Sequence, residues 1–132
     1  MTFVGELLPY QNEAVDKMVD RKKVLVAYDL GLGKTVLTIS AVEALRDAGD
    51  LEGLTLVVCL SSLKYQWQKE IHKFSDSTAL VIDGTSAQRQ LQYADAVEFN
   101  YVVVNYEQVV NDWENISSLP IEALVLGEAT AV

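Results

Sequence analysis

The chain has 132 residues, half of them hydrophobic and 22% charged. That length can bury roughly two-thirds of the unfolded surface around one core, and the composition excludes an intrinsically disordered segment. A formal net charge of −9 repels phosphate backbones at long range, which argues against a free-standing nucleic-acid binder and confines any such role to a local patch.

A helix is expected from Pro9 to Asp20, because proline suits a first turn and Ala14, Val15, Met18 and Val19 make an apolar stripe. Val24 to Ala27 reads as a buried strand running into a glycine-rich turn. A helix from Thr35 to Ala48 follows, with Val36, Leu37, Ile39, Val42 and Leu45 as its core face and Gly49 as its stop. The cycle then repeats. Thr55 to Leu60 reads as a strand, and Lys64 to Phe74 as a helix with Trp67, Ile71 and Phe74 on one side. Ala79 to Ile82 is the next strand, ending at Asp83-Gly84, and Ala87 to Tyr93 the next helix. Tyr101 to Val104 is a strand, followed by a short helical segment from Glu107 to Trp113. Ile116 to Pro120 reads as a loop and Ala123 to Leu126 as the last strand.

Continuous apolar strands alternating with helices predict a parallel sheet covered on both faces. Right-handed crossovers then give a single α/β domain over residues 1–132, doubly wound around a mostly parallel sheet and RecA-like. No apolar run approaches the roughly 20 residues of a membrane span. The start, Met1 to Glu6, lacks the basic and apolar regions of a secretory signal. The lone Cys59, inside an apolar run, reads as a core residue, and its inability to form an internal disulfide points to a reducing cytoplasm.

The segment Gly31-Leu32-Gly33-Lys34-Thr35 carries the chemistry. Set between a strand and a helix, it forms a nest of backbone N–H groups in which the glycines leave room for phosphate oxygens. The helix N-terminus adds its dipole. Lys34 supplies a positive charge at the β- and γ-phosphates of ATP, and the Thr35 hydroxyl is a magnesium ligand. The strict form of this motif has glycine where the chain has Tyr28.

With its flanks, Ala27-Tyr28-Asp29-Leu30-Gly31-Leu32-Gly33-Lys34-Thr35 resembles motif I of the Swi/Snf family of DNA-dependent ATPases, within the superfamily-two helicases. Further segments resemble that family in order. Leu8-Pro9-Tyr10-Gln11 is similar to its entry motif, and Ser61-Ser62-Leu63 with Trp67, Glu70 and Phe74 to motif Ia. Asp83-Gly84 with Arg89, and Asn105-Tyr106-Glu107, resemble two later signatures. Gly127-Glu128-Ala129-Thr130 stands in the place of motif II.

The resemblance implies a P-loop helicase lobe, the first of two RecA-like lobes that together move along double-stranded DNA at the expense of ATP. It implies that Gln11 reads the adenine edge and that Gly31, Leu32, Gly33, Lys34 and Thr35 hold ATP or ADP with Mg2+. Lys34 and Glu128 are the candidate catalytic residues, with Glu128 polarising the attacking water. Ser61, Ser62 and Lys64 are candidate DNA contacts.

Two departures from the family pattern stand out. Motif II opens on Gly127 where the family has a magnesium-orienting aspartate. The later motifs and the second lobe, which supplies an arginine finger, are not in these residues. Turnover by the chain alone is therefore expected to be deficient, and the alternative is a non-hydrolysing nucleotide-binding or scaffold domain that has lost catalysis at Gly127. Lys69, His72 and Lys73 read as a solvated helix face, His72 without metal-ligand companions, and Trp67 and Phe74 as core. The expected setting is the cytoplasm of a bacterial or phage-infected cell, with no membrane partner.

Overall fold

The computed structural model describes residues 23–26 and 32–127. The helix expected over Pro9–Asp20 lies outside them. Five strands form one sheet: β1 (Lys23–Val26), β2 (Leu54–Cys59), β3 (Ala79–Val81), β4 (Tyr101–Asn105) and β5 (Ile121–Leu126). Their order is β1-β5-β2-β4-β3, and every neighbouring pair is parallel. The helices are α1 (Leu32–Asp47), α2 (Lys64–Phe74), α3 (Ser86–Asp95), α4 (Tyr106–Asn111) and α5 (Trp113–Ser117), with 3-10 turns at Ser61–Leu63 and Ala96–Glu98.

Strands β2, β4 and β5 are apolar on both sides because both sides are covered. Leu56, Val58, Val102, Val104, Leu124 and Leu126 pack beneath Tyr93, Val109 and Ile116 of α3, α4 and α5. Val57, Cys59, Val103 and Val125 face the other way, under Ile39 and Val42 of α1 and Trp67 and Ile71 of α2. Each fully buried aliphatic side chain here contributes about 1.5–3 kcal/mol relative to exposure. The chain crosses from β1 to β2 to β3 in one direction through α1 and α2, then returns to β4 and β5 through α3, α4 and α5. Right-handed crossovers run in opposite directions put their helices on opposite faces. The doubly wound parallel architecture is as the sequence predicts.

Several local expectations shift. Helix α1 starts at Leu32 rather than Thr35 and ends at Asp47, one residue before the expected Ala48, with Gly49 beyond it at a φ of 81° that suits glycine. On α1 the buried stripe is Thr38, Ile39 and Val42, while Leu37 is 69% exposed. On α2 Phe74 is 45% exposed, and Lys64 and Glu70 are buried in its stead. Ile116 and Ser117, expected to open a loop, are instead the end of α5, with Ile116 fully buried, and Ser118 to Pro120 form the connection to β5. Strand β5 starts earlier than Ala123 because a bulge absorbs Glu122: Leu54 pairs with Ile121 and Thr55 with Ala123. The Glu122 carboxylate accepts the backbone N–H groups of Glu52, at 2.6 Å, and of Gly53.

Candidate functional site

Because the strands are parallel, the segments that follow them gather along one edge of the sheet, where doubly wound folds bind ligands. Strand β1 leads toward the glycine-rich segment, β2 into Ser61–Lys64, β3 into Asp83-Gly84, β4 into Asn105–Gln108 and β5 into Gly127. Gln11, Gly31 and Glu128 lie outside the described residues. Helix α1 opens at Leu32, which puts Gly33, Lys34 and Thr35 in its first turn, and no acidic residue shares that turn. The first N–H groups of any α-helix lack intrahelical partners and carry the positive end of the dipole, so this terminus is suited to an anion.

Lys64 is turned inward. It is 2% exposed, and its Nζ donates to the Ile82 carbonyl at 2.8 Å and to Gln108 Oε1 at 3.4 Å, with Asp83 Oδ1 at 3.6 Å. A buried ammonium is tolerated only when its donors are satisfied, and these partners do that. The amide of Gln108 also donates to the Ile82 carbonyl at 3.0 Å, and Gln108 and Asn105 form a reciprocal capping box at the start of α4. Lys64 and Gln108 thus tie the ends of β2, β3 and β4 together. Ser61 and Ser62 are exposed. The expected surface trio therefore divides, with two hydroxyls facing solvent and the ammonium committed inside the fold. Nearby, the Tyr65 hydroxyl donates to Asp83 Oδ2 at 2.8 Å, which holds the Asp83 carboxyl below its usual range.

Gly127 is buried and continues the pairing of β5 with β2: its N–H donates to the Val58 carbonyl at 2.7 Å. Its own carbonyl accepts the Tyr106 hydroxyl at 2.7 Å. A Cβ here would stand 3.1 Å from Cys59 Cβ, 3.3 Å from Trp67 Nε1 and 3.4 Å from the Val58 carbonyl oxygen. A side chain at this position therefore needs its neighbours to give by a few tenths of an ångström. Trp67 is 2% exposed, and its indole N–H has no acceptor among the described residues. Such an orphaned buried donor costs about 1–3 kcal/mol.

A second polar cluster braces the far side of the same edge. The Arg89 guanidinium on α3 grips Asp112, with Nε 2.8 Å from Oδ2 and Nη2 2.9 Å from Oδ1, and Nη1 donates to the Gly84 carbonyl at 2.9 Å. The Tyr93 hydroxyl donates to Asp112 Oδ2 at 2.8 Å. Asp112 lies at the junction of α4 and α5, so the cluster fastens both to α3 and to the turn after β3.

Sequence reading missed Tyr106, Gln108 and Asp112 as structural partners of the site. The Asn105-x-x-Gln108 spacing, like Thr85-x-x-Gln88 at the start of α3, was the signal available for one of them. Lys69, His72 and Lys73 are exposed on α2, as a solvated face requires, and His72 Nε2 accepts the Ala79 N–H at 3.1 Å. Trp67 is core, whereas Phe74 is exposed with Lys73 Nζ 5.2 Å from its ring centre. Among the described residues no group of three or more His, Cys, Asp or Glu could hold a metal ion, and no helix is long and apolar enough to cross a membrane.

Comparison with known proteins places this geometry. The profile of the SNF2-related domain matches residues 10–132. The ISWI chromatin-remodeling complex ATPase ISW1 of Saccharomyces cerevisiae is 28% identical over 95% of the chain, which spans 12% of that protein. The chromatin-remodeling ATPase INO80 of Sclerotinia sclerotiorum is 31% identical over 82% of the chain, which spans 7% of it. Among solved structures, the SWI2/SNF2 ATPase core of Sulfolobus solfataricus, in complex with double-stranded DNA, shares the fold. It superposes with a TM-score of 0.54 at 17% identity, covering 96% of this chain and 32% of that one. The expectation of a bacterial or phage-infected cytoplasm is overturned by these relatives, which are chromatin-remodeling ATPases of fungi.

Proposed function

The chain belongs to the SNF2-related domain family, and on that premise we propose that it is the ATP-binding first lobe of a DNA translocase. The observation that carries this reading is the start of α1 at Leu32, inside the glycine-rich segment, with Lys34 in a first turn that has no acidic residue. ATP fits that arrangement: backbone amides and the helix dipole receive phosphates, and Lys34 adds a charge-assisted contact. In this reading Gln11 recognises adenine and Glu128 activates water once a second lobe closes over the nucleotide. Ser61 and Ser62 offer hydroxyls to DNA phosphates, while Lys64 holds their loop in place.

Magnesium fits only in part. Thr35 supplies one hydroxyl, but Gly127 brings no carboxylate, and its carbonyl already accepts the Tyr106 hydroxyl. This favours a second reading, a nucleotide-binding or scaffold domain that does not hydrolyse ATP. Gly127→Asp is expected to increase the magnesium enhancement of ATP affinity by roughly 10–100-fold, the usual worth of a carboxylate beside a metal. It should not restore fast hydrolysis by this chain alone, because the arginine finger of a second lobe is worth roughly 10³–10⁵ in rate. ATP affinity with magnesium and with a chelator, measured in both variants, checks this, and an equal magnesium effect in the two would remove residue 127 from the metal.

DNA binding by the isolated chain should be weak. The net charge is −9, and the exposed cations on α2 are few. At about 0.15 M salt, charges beyond roughly 8 Å are screened, so a small cluster gains little from the duplex field. Fluorescence anisotropy with a labelled duplex should give no saturable sub-micromolar binding. A sub-micromolar Kd at that salt would show a DNA-facing surface that the charge balance hides.

A further inference from the structure

The indole N–H of Trp67, without an acceptor among the described residues, lies beside Gly127. Trp67 of α2 is buried against the sheet, 2% exposed, and its Nε1 stands 3.3 Å from the place a Cβ on residue 127 would take. The polar groups around it are already engaged. The Val58 carbonyl accepts from Gly127 N–H, and the Gly127 carbonyl accepts from Tyr106. The other neighbour, Cys59, directs its thiol toward the Val104 carbonyl at 3.9 Å. None of these groups is anionic, so among the described residues a carboxylate arriving here meets a donor and no like charge.

We propose that Trp67 is a positioning residue for a carboxylate at position 127, whose indole N–H holds one carboxyl oxygen and turns the other toward the nucleotide end of the sheet. The indole is a donor only, and its orientation is fixed by the core, so it can select one rotamer of a short acidic side chain. A carboxyl oxygen lies two bonds beyond Cβ, within hydrogen-bond reach of Nε1. With glycine at 127 the donor has no acceptor among the described residues. The inference rests on the placement of motif II at Gly127.

The test compares Gly127→Asp with Gly127→Ala in the full chain. Both add the same Cβ, and only the first adds an acceptor. The Trp67 indole N–H is followed by ¹⁵N–¹H NMR, assigned through Trp113→Phe, with Trp113 as internal reference. The Trp67 indole proton should exchange with solvent about tenfold or more slowly in Gly127→Asp than in Gly127→Ala, as a bond to a charged acceptor requires, with Trp113 unchanged. Equal exchange in the two variants would overturn the proposal. So would a folded Gly127→Ala beside an unfolded Gly127→Asp, because the carboxylate is then not received. Failure of both to fold overturns it too, since the position then admits no side chain. The magnesium dependence of ATP affinity reports separately on motif II. An indole bond without a magnesium effect removes the metal assignment and keeps the Trp67 contact, and the reverse pattern removes Trp67 alone.

Discussion

Asp112→Ala is expected to lower stability by about 3 kcal/mol, toward the low end of the cost of breaking a buried ion pair. The carboxylate is 7% exposed and receives three hydrogen bonds, two from Arg89 and one from Tyr93. Removing it strands the hydroxyl of Tyr93, itself 4% exposed, and leaves the guanidinium without its partner. Arg89 retains 18% exposure, which lets water reach it and keeps the loss from the upper end of the range. Against a total stability of about 5–15 kcal/mol, such a loss is large. The effect also carries a pH signature. Burial alone would raise the Asp112 carboxyl, but the hydrogen bonds from Arg89 and Tyr93 outweigh it and hold the group below its ordinary range. A depressed folded value means the stabilisation is fully present above the unfolded pKa, about 3.9, and is lost as pH falls through the folded value. Burial pushes the Tyr93 hydroxyl far up, so it stays a donor throughout. Urea unfolding should therefore show a wide gap between wild type and Asp112→Ala at pH 7 that narrows below about pH 4. Equal midpoints at pH 7 would show that the cluster contributes nothing.

Much of the architecture was legible because the strands are apolar throughout and the helices are bounded by recognisable residues. Lys64–Phe74 was read with its observed limits, and the strands fell within a residue or two of their places. What failed was the assignment of faces. Leucine at position 37 suggests core, yet Leu37 lies about 200° around the helix from Ile39, on the solvent side. The stripe that packs includes Thr38, whose hydroxyl disguises it. Phe74 occupies the last position of α2, past the cover of the sheet.

The site was legible as a set of segments and less so as a geometry. Glycines, lysine and threonine at this spacing point to a phosphate loop on local sequence alone. Lys64 could not be read that way. Its position after a strand suggested a phosphate contact, but Ile82, Asp83 and Gln108 reach it from distant parts of the chain and draw the ammonium inside. Tyr106 and Trp67 meet Gly127 only through the sheet order. The capping boxes at Thr85 and Asn105 are local signals, each visible in the sequence as a polar cap followed three residues later by glutamine.

In the proposed function the turn into α1 grips the phosphates of ATP, and Lys34 is its sharpest probe. A lysine at a phosphate makes a charge-assisted hydrogen bond, worth about 1.5–3 kcal/mol. Backbone amides and the helix dipole remain when it is removed, so binding should weaken without vanishing. The unaltered chain is expected to bind ATP or ADP with a Kd between micromolar and millimolar, about 4–8 kcal/mol. Lys34→Ala should raise that Kd by roughly 10–100-fold, with the fold intact by circular dichroism. Titration of ATP into wild type and Lys34→Ala by calorimetry decides it: a clear loss of affinity in the folded variant is the predicted result, and superimposable isotherms would contradict the assignment.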